Sequence, residues 1–385
     1  MAQLIVRVTS TGARSPLARL LGAPLGLDVW EVKPDFVVLR ADEAQTDRLE
    51  AMGYRVEQLE LVEPYLSTFA TEAAVTGFHT AETLEQDLRR LAEEHPEIAE
   101  LRRIGRSVEG RPLWALRIGE RRDSTRSVAF LGCHHAREWI SVEIPYLLAE
   151  HLLDNSSADP VSRWLSHGEV WVVPMVNPDG HEHTRTENRL WRKNRRRNSG
   201  GSIGVDPNRN YGYMWGVLDI STSSHVPSDG TYVGPRAFSE PEVRAVRNLV
   251  ARELFDGVLS YHSYSQLVLF PWGYTSEPIE DETDRDELRI LAERMEGLIR
   301  SVHGETYTAQ QASQLYPTAG DTTDWTYGEF GIPSFTIELR PATALEGGFL
   351  LPAAQIGPCW EENRPAALEF VRHVLENPKP PSSVI

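Results

Sequence analysis

The stretch Gly132-Cys133-His134-His135-Ala136-Arg137-Glu138-Trp139-Ile140 constrains this chain more than any other. It follows an apolar run, Ser127-Val128-Ala129-Phe130-Leu131, that reads as a buried strand. It precedes Ser141 to Leu153, which reads as a helix. A His and a Glu three positions apart, just past a strand end, can point at one spot. They supply two thirds of an open zinc site if the chain brings a third ligand.

The surrounding pattern predicts an α/β fold. Strand candidates are Trp114–Ile118, Val128–Leu131, Val170–Met175, Val258–Tyr261 and Ser334–Leu339. Helix candidates are Ala81–Glu94, Val142–Leu153, Ser239–Leu254, Asp286–His303 and Pro365–Glu376. Their alternation over residues 81–375 predicts a mixed, largely parallel central sheet with helices on both faces. Ser239-Glu240-Pro241-Glu242 reads as a helix start with Ser239 as the N-cap. Residues 1–73 form a smaller α+β unit: strands Leu4–Val8, Val29–Leu39 and Arg55–Leu61, and a helix Asp42–Met52 closed at Gly53. The run from Thr68 to Thr80 is rich in small residues, and 74–80 serve as the linker. Residues 376–385 read as a loose tail. Thr184 to Pro235 is long and polar, and loops of that length in a compact domain are usually functional.

The third ligand candidate is His262, which also sits just past a strand. In open α/β sheets that edge is where ligands bind. His134 is a rival, but its side chain should face away from Glu138 if His135 faces towards it. His181 and His183 are further rivals, read as surface histidines after the turn Asn177-Pro178-Asp179-Gly180. Glu338 lies in an otherwise apolar strand, where a carboxylate is costly unless paired or functional. It is either a salt-bridge partner of Arg340 or a general base. Arg209 can grip a carboxylate through two parallel bonds. The basic run Arg195 to Arg197 reads as a solvated loop.

Partners are bounded by charge. The net charge of −17 argues against nucleic acid or an anionic membrane surface. No segment approaches the roughly 20 apolar residues of a membrane span. Cys133 and Cys359 are the only cysteines, too few for a disulfide framework. The N-terminus does not read as a secretory signal, so cytoplasmic residence is the default expectation, with secretion as the alternative.

Taken together the motifs resemble the zinc metallocarboxypeptidase family that includes carboxypeptidases A and B. The matching strings include His135-Ala136-Arg137-Glu138-Trp139-Ile140, Asn177-Pro178-Asp179-Gly180, Asn188-Arg189-Leu190-Trp191-Arg192-Lys193, Asp206-Pro207-Asn208-Arg209-Asn210, His262-Ser263-Tyr264-Ser265-Gln266 and Phe335-Thr336-Ile337-Glu338-Leu339-Arg340, in family order over about residues 77 to 375. The resemblance implies that His135, Glu138 and His262 bind one Zn2+, the His₂Glu set for which carboxypeptidase A is a standard example. It implies that Glu338 is the base and Arg192 the oxyanion stabiliser. It further implies that Asn208, Arg209 and Tyr316 bind the C-terminal carboxylate of a peptide or protein substrate. Arg137, Ser263 and Tyr264 would then line the subsites for preceding residues, and Asp206 would orient His135. Gly273, Gln311, Asp321 and Thr323 would line the side-chain pocket, with a broad preference for apolar and aromatic C-terminal residues and some Lys or Arg. Residues 1–73 stand in the place of the family's prosegment. The rival readings are a zinc amidohydrolase or deacylase acting on small acylated amino acids, and a catalytically dead peptide-binding module.

Overall fold

The computed structural model describes residues 2–12, 16–120 and 126–377. The first sheet is built from β1 (Gln3–Ser10), β2 (Asp28–Val32), β3 (Phe36–Asp42) and β4 (Tyr54–Leu61), ordered β2-β3-β1-β4 with every pair antiparallel. The single strand expected over Val29–Leu39 is instead a hairpin. Pro34 has no N–H for a ladder, and the turn closes with the Lys33 N–H on the Phe36 carbonyl at 2.9 Å. The helix Glu43–Ala51 starts with a capping box: Asp42 accepts from the Gln45 N–H while the Gln45 side chain accepts from the Asp42 N–H. One face of this sheet buries Val6, Val8, Leu39 and Ala41 with Leu49 of that helix. The other face carries Ile5, Trp30 and Val38, which pack on Leu190, Tyr264, Phe349 and Leu350 of the rest of the chain.

The second sheet contains β5 (Ala99–Arg106), β6 (Pro112–Ile118), β7 (Arg126–Gly132), β8 (Gly168–Val173), β9 (Gly257–Ser263), β10 (Leu267–Phe270), β11 (Thr308–Gln311) and β12 (Ser334–Leu339), ordered β11-β10-β12-β9-β7-β8-β6-β5. The central pairs β12–β9, β9–β7 and β7–β8 are parallel, as is β10–β11, and the remaining pairs are antiparallel. Helices cover both faces, so the central strands read as continuous apolar runs. Val128 and Phe130 of β7 face the helices Ile140–Asp154, Glu282–His303 and Ile356–Glu376. Ala129 and Leu131 face Pro241–Glu253 and Thr322–Phe330. Among the described residues no helix is long and apolar enough to cross a membrane.

Several local expectations change. The helix Pro241–Glu253 begins with Pro241 in its first turn, and Ser239 lies one residue too early to cap it; its hydroxyl donates to Glu240 at 2.6 Å instead. Asn177-Pro178-Asp179-Gly180 is not an isolated turn but opens the helix Pro178–Thr186, with Asn177 accepting from the Gly180 N–H at 3.0 Å. His181 on that helix is fully buried against Trp139, not a surface residue. Arg196 is not simply solvated, since it pairs with the buried Glu240 at 2.7 Å. The stretch expected as linker overlaps a helical turn at Glu72–Val75, and Phe78 is buried edge-on against Trp139. The last helix starts at Ile356, earlier than expected, and runs to Glu376 with Pro365 inside it; residues 378–385 of the expected tail lie outside the described residues.

Glu242 tests this packing. It sits in the first turn of Pro241–Glu253 with no exposed surface, accepting from the Val108 N–H at 2.8 Å and from Asn194 at 3.2 Å. Burial, helped by the nearby Glu240 and Asp179, pushes its carboxyl up to about 7. Between the ordinary glutamate range and about 7 the folded chain therefore binds more protons than the unfolded one, and stability falls as pH rises through that window. Glu242→Gln removes this fall. Urea midpoints should favour the variant more at pH 8 than at pH 5, and an equal difference at both would contradict the assignment.

Candidate active site

The register of three parallel strands brings the chemistry to one edge. Glu338 of β12 pairs with His262 of β9, and Tyr261 of β9 pairs with Gly132 at the end of β7. The chain then turns sharply. A Cβ on Gly132 would stand 2.1 Å from the Ser141 carbonyl oxygen, so no larger residue fits. Cys133 adopts φ 52°, and its N–H donates to the Ser141 hydroxyl at 3.0 Å. That hydroxyl donates in turn to the Glu138 carbonyl at 2.5 Å. Cys133 itself is a buried thiol whose pKa burial raises.

The turn aims His135 and Glu138 at His262. His135 Nδ1 lies 2.8 Å from one Glu138 oxygen, and His262 Nδ1 lies 3.1 Å from the other. The two Nδ1 atoms are 3.1 Å apart. Nitrogens each about 2.0 Å from one zinc at a tetrahedral angle stand roughly 3.3 Å apart, so the donor set fits that ion. The opposite ring nitrogens are engaged as a metal site requires: His135 Nε2 lies 3.1 Å from Asp206 Oδ1, and His262 Nε2 lies 3.1 Å from the Ser260 hydroxyl. Burial alone would raise the Glu138 carboxyl, but the charges and hydrogen bonds of His135 and His262 outweigh it and hold it far below its usual range. His134 does face away. Its Nε2 meets Tyr211 at 2.9 Å and Thr322 at 3.1 Å, and its ring stacks on His262. Burial keeps it neutral.

Two cavities meet at these ligands. One is lined by His135, His262, Glu338, Asn208, Arg209, Tyr316, Asp321 and Thr323, with Leu269, Ala312 and Leu315 as its apolar wall. Arg209 is fixed there by its Nε on the Thr222 carbonyl (2.6 Å) and an Nη on the Asn208 carbonyl (2.7 Å). Asn208 accepts from the N–H and hydroxyl of Thr322 (2.9 and 2.7 Å). Asp321 both lines the cavity and caps the helix Thr322–Phe330, accepting from the Asp324 N–H at 2.9 Å. Gly273 and Gln311 are not among the lining residues. The Gly273 N–H is bound to Asp324, and the Gln311 amide donates to the carbonyls of Trp272, Thr275 and Glu277.

The second cavity is lined by His135, Glu138, Arg192, Ser263, Tyr264, Tyr316, Glu338, Phe349 and, from the first sheet, Trp30. Arg192 Nε donates to Asp206 Oδ2 at 2.8 Å, so one carboxylate orients both His135 and Arg192. Glu338 does not pair with Arg340, which is bound to Glu362. Burial, reinforced by Glu138 and opposed by His262, Arg192 and Arg209, pushes the Glu338 carboxyl up to about 8. The Arg137 guanidinium is turned to the first sheet, where Asp28 accepts from both of its Nη atoms at 3.0 and 2.9 Å. Asp28 and Trp30 are site neighbours that no local sequence signal marks, because their placement depends on how two sheets dock.

A buried His₂Glu centre with a carboxylate beside it, on the edge of a largely parallel sheet, defines a zinc hydrolase. The family model described as zinc carboxypeptidase matches residues 84–366. Carboxypeptidase B of Astacus astacus is 36% identical over 294 residues, spanning 74% of this chain and 93% of that protein. Human carboxypeptidase B is 31% identical over 385 residues, 94% of this chain and 90% of its own length. The crystal structure of Helicoverpa armigera carboxypeptidase A superposes with a TM-score of 0.84 at 25% identity, covering 98% of each chain. The chain belongs to the zinc carboxypeptidase family and is a metallocarboxypeptidase that uses one zinc ion held by His135, Glu138 and His262.

Removing the carboxylate that orients His135 should loosen the ion. Asp206→Ala is expected to weaken zinc binding by about 10- to 100-fold, measured by competition with a chelator. Unchanged affinity would show that His135 is oriented by something else.

Proposed function

We propose that this enzyme anchors the free C-terminal carboxylate of a peptide with Arg209, Asn208 and Tyr316 and cuts the bond before the last residue. The observation that supports this most is that these three side chains share one cavity with His135, His262 and Glu338. An anchored charge one residue from the ligands selects which bond is cut. When bound, the zinc polarises the scissile carbonyl and lowers the pKa of a water molecule. Glu338 takes the proton from the attacking water and hands it to the leaving amine. Burial raises its carboxyl, which favours holding the proton it takes from the water. Arg192, held by Asp206, faces the carbonyl oxygen as negative charge develops there.

The C-terminal side chain enters the part of the cavity bounded by Leu269, Ala312, Leu315, Thr323 and Asp321. The apolar wall suits aliphatic and aromatic residues, and Asp321 suits Lys or Arg. A deacylase of small acylated amino acids would need the same ligands but no second cavity beyond them for a peptide, and this chain has one. A dead binding module would need no base. Residues 1–73 act as a cover, since Trp30 enters the second cavity and Asp28 occupies Arg137.

The direct test follows release of the last residue from a blocked peptide with a free C-terminus, beside the same peptide amidated at that end. Release from the free form only is expected, and equal release from both would rule out carboxylate anchoring. Glu338→Gln should lower kcat by about 10²- to 10⁴-fold with zinc still bound. Full activity in that variant would remove Glu338 from the mechanism. Asp321→Asn should lower the ratio of Arg to Phe release, and an unchanged ratio would exclude Asp321 from the pocket's selectivity.

A further inference from the structure

His134 is wholly buried and turned away from the metal ligands, yet both of its ring nitrogens are engaged. Nδ1 lies 3.3 Å from the Ser260 hydroxyl. Nε2 lies 3.1 Å from the Thr322 hydroxyl and 2.9 Å from that of Tyr211. Ser260 leads on to His262 Nε2 at 3.1 Å, and Thr322 leads on to Asn208 Oδ1 at 2.7 Å. His134 thus joins a metal ligand to a member of the carboxylate anchor. A neutral imidazole has one donor and one acceptor, so the run of hydrogen bonds through it has a direction.

Each end fixes that direction independently. At the metal end, His262 turns Nδ1 towards Glu138 and His135 Nδ1, both at 3.1 Å. Nδ1 is therefore the nitrogen for zinc, and Nε2 keeps its proton. Ser260 accepts from Nε2–H, which leaves its own hydroxyl proton to donate to His134 Nδ1. At the anchor end, Asn208 Oδ1 meets the Thr322 backbone N–H at 2.9 Å, and a backbone N–H can only donate. The Thr322 hydroxyl, 2.7 Å from the same oxygen, spends its one proton there. The Thr322 oxygen then accepts from His134, directly or through the Tyr211 hydroxyl that also bonds to it. Both ends demand the same ring: a bare Nδ1 and a protonated Nε2. The other tautomer would set a bare nitrogen against the Thr322 oxygen. It would also leave the Ser260 proton without an acceptor among the described residues.

The direction decides what Asn208 offers to a substrate. Its oxygen is used twice on Thr322, and its Nδ2 lies 3.4 Å from His262 Nε2, where a protonated nitrogen cannot accept. The amide N–H groups are left for the cavity that Asn208 lines beside Arg209 and Tyr316. A carboxylate only accepts, so this orientation of the amide is the one that serves it. We propose that His134 is a positioning residue: as its Nε2–H tautomer it carries the setting of the metal ligand His262 through to Asn208 and keeps that amide turned to the C-terminal carboxylate of the substrate. This rests on the carboxylate-anchoring reading.

Ring NMR of the zinc-loaded full chain, with isotope-labelled histidine, reads the tautomer directly. The signals lost in His134→Gln should show a protonated Nε2 and a bare Nδ1, and a protonated Nδ1 would overturn the proposal. Kinetics follow release of Phe from blocked peptides, free or amidated at the C-terminus, by chains cut in the connecting segment. His134→Leu should raise KM for the free peptide about tenfold with kcat within about twofold, because lost anchoring acts on ground and transition states alike. His134→Gln, whose amide N–H replaces Nε2–H, should recover part of that KM. In an Asn208→Ala background His134→Leu should add no further change. Zinc content equal to wild type shows that the variants are folded. An unchanged KM in His134→Leu, or an equal rise with Asn208 already removed, would overturn the positioning role. Wild type that releases Phe equally from free and amidated peptides, or from neither, would overturn the carboxylate anchor itself. The tautomer is read without substrate, so the two failures are told apart.

Discussion

Everything at the site depends on three neighbouring parallel strands ending at the same edge. Parallel pairing fixes one direction, so β7, β9 and β12 deliver their ends together, and the register sets Glu338 beside His262. The left-handed Cys133 and the glycine before it then reverse the chain within one turn, placing His135 and Glu138 over the same point. The ligands thus hang from strand ends of the central sheet, with the core packed directly behind them. Rigid support of this kind holds a metal site open for substrate without letting it collapse.

The second theme is the sharing of buried charge. Asp206 orients His135 with one oxygen and Arg192 with the other. Ser260 lies between His134 and His262, and Thr322 between His134 and Asn208. The metal ligands, Arg192 and Asn208 are therefore linked through a few polar groups. In a site this buried each such group is worth more than it would be in water, and each is costly to leave alone.

How much of this could be read from the sequence followed from physical cause. Strands β7, β8, β9 and β12 were legible because burial on both faces makes them continuous apolar runs. The ligand triad was legible because His135 and Glu138 share one turn and His262 ends an apolar strand. The edge strands were not. β5 carries Glu100, Arg102 and Arg103 on a half-buried ribbon, and β11 is Thr-Ala-Gln-Gln. His181 looked like a surface residue because the helix that buries it opens with Asn-Pro-Asp-Gly, a sequence that reads equally as a turn. Gln311 looked like a pocket residue, but its amide is used up on three carbonyls of a loop whose path no local pattern reveals. Asp28 and Trp30 were invisible for the same kind of reason, since docking between two sheets leaves no periodic trace.

The first sheet has an apolar layer on each side: one closed by its own helix, the other closed only by the larger body through Trp30, Tyr65, Phe349 and Leu350. Both halves of the second layer are left wet on separation, so apolar burial resists it as well as the ion pair. While the chain is continuous the two bodies meet at an effective concentration of the millimolar order for a short tether. Severing the tether changes the order of the reaction, and dilution then decides the outcome. One peptide bond in the connecting segment thus converts a fixed intramolecular equilibrium into one governed by how much protein is present.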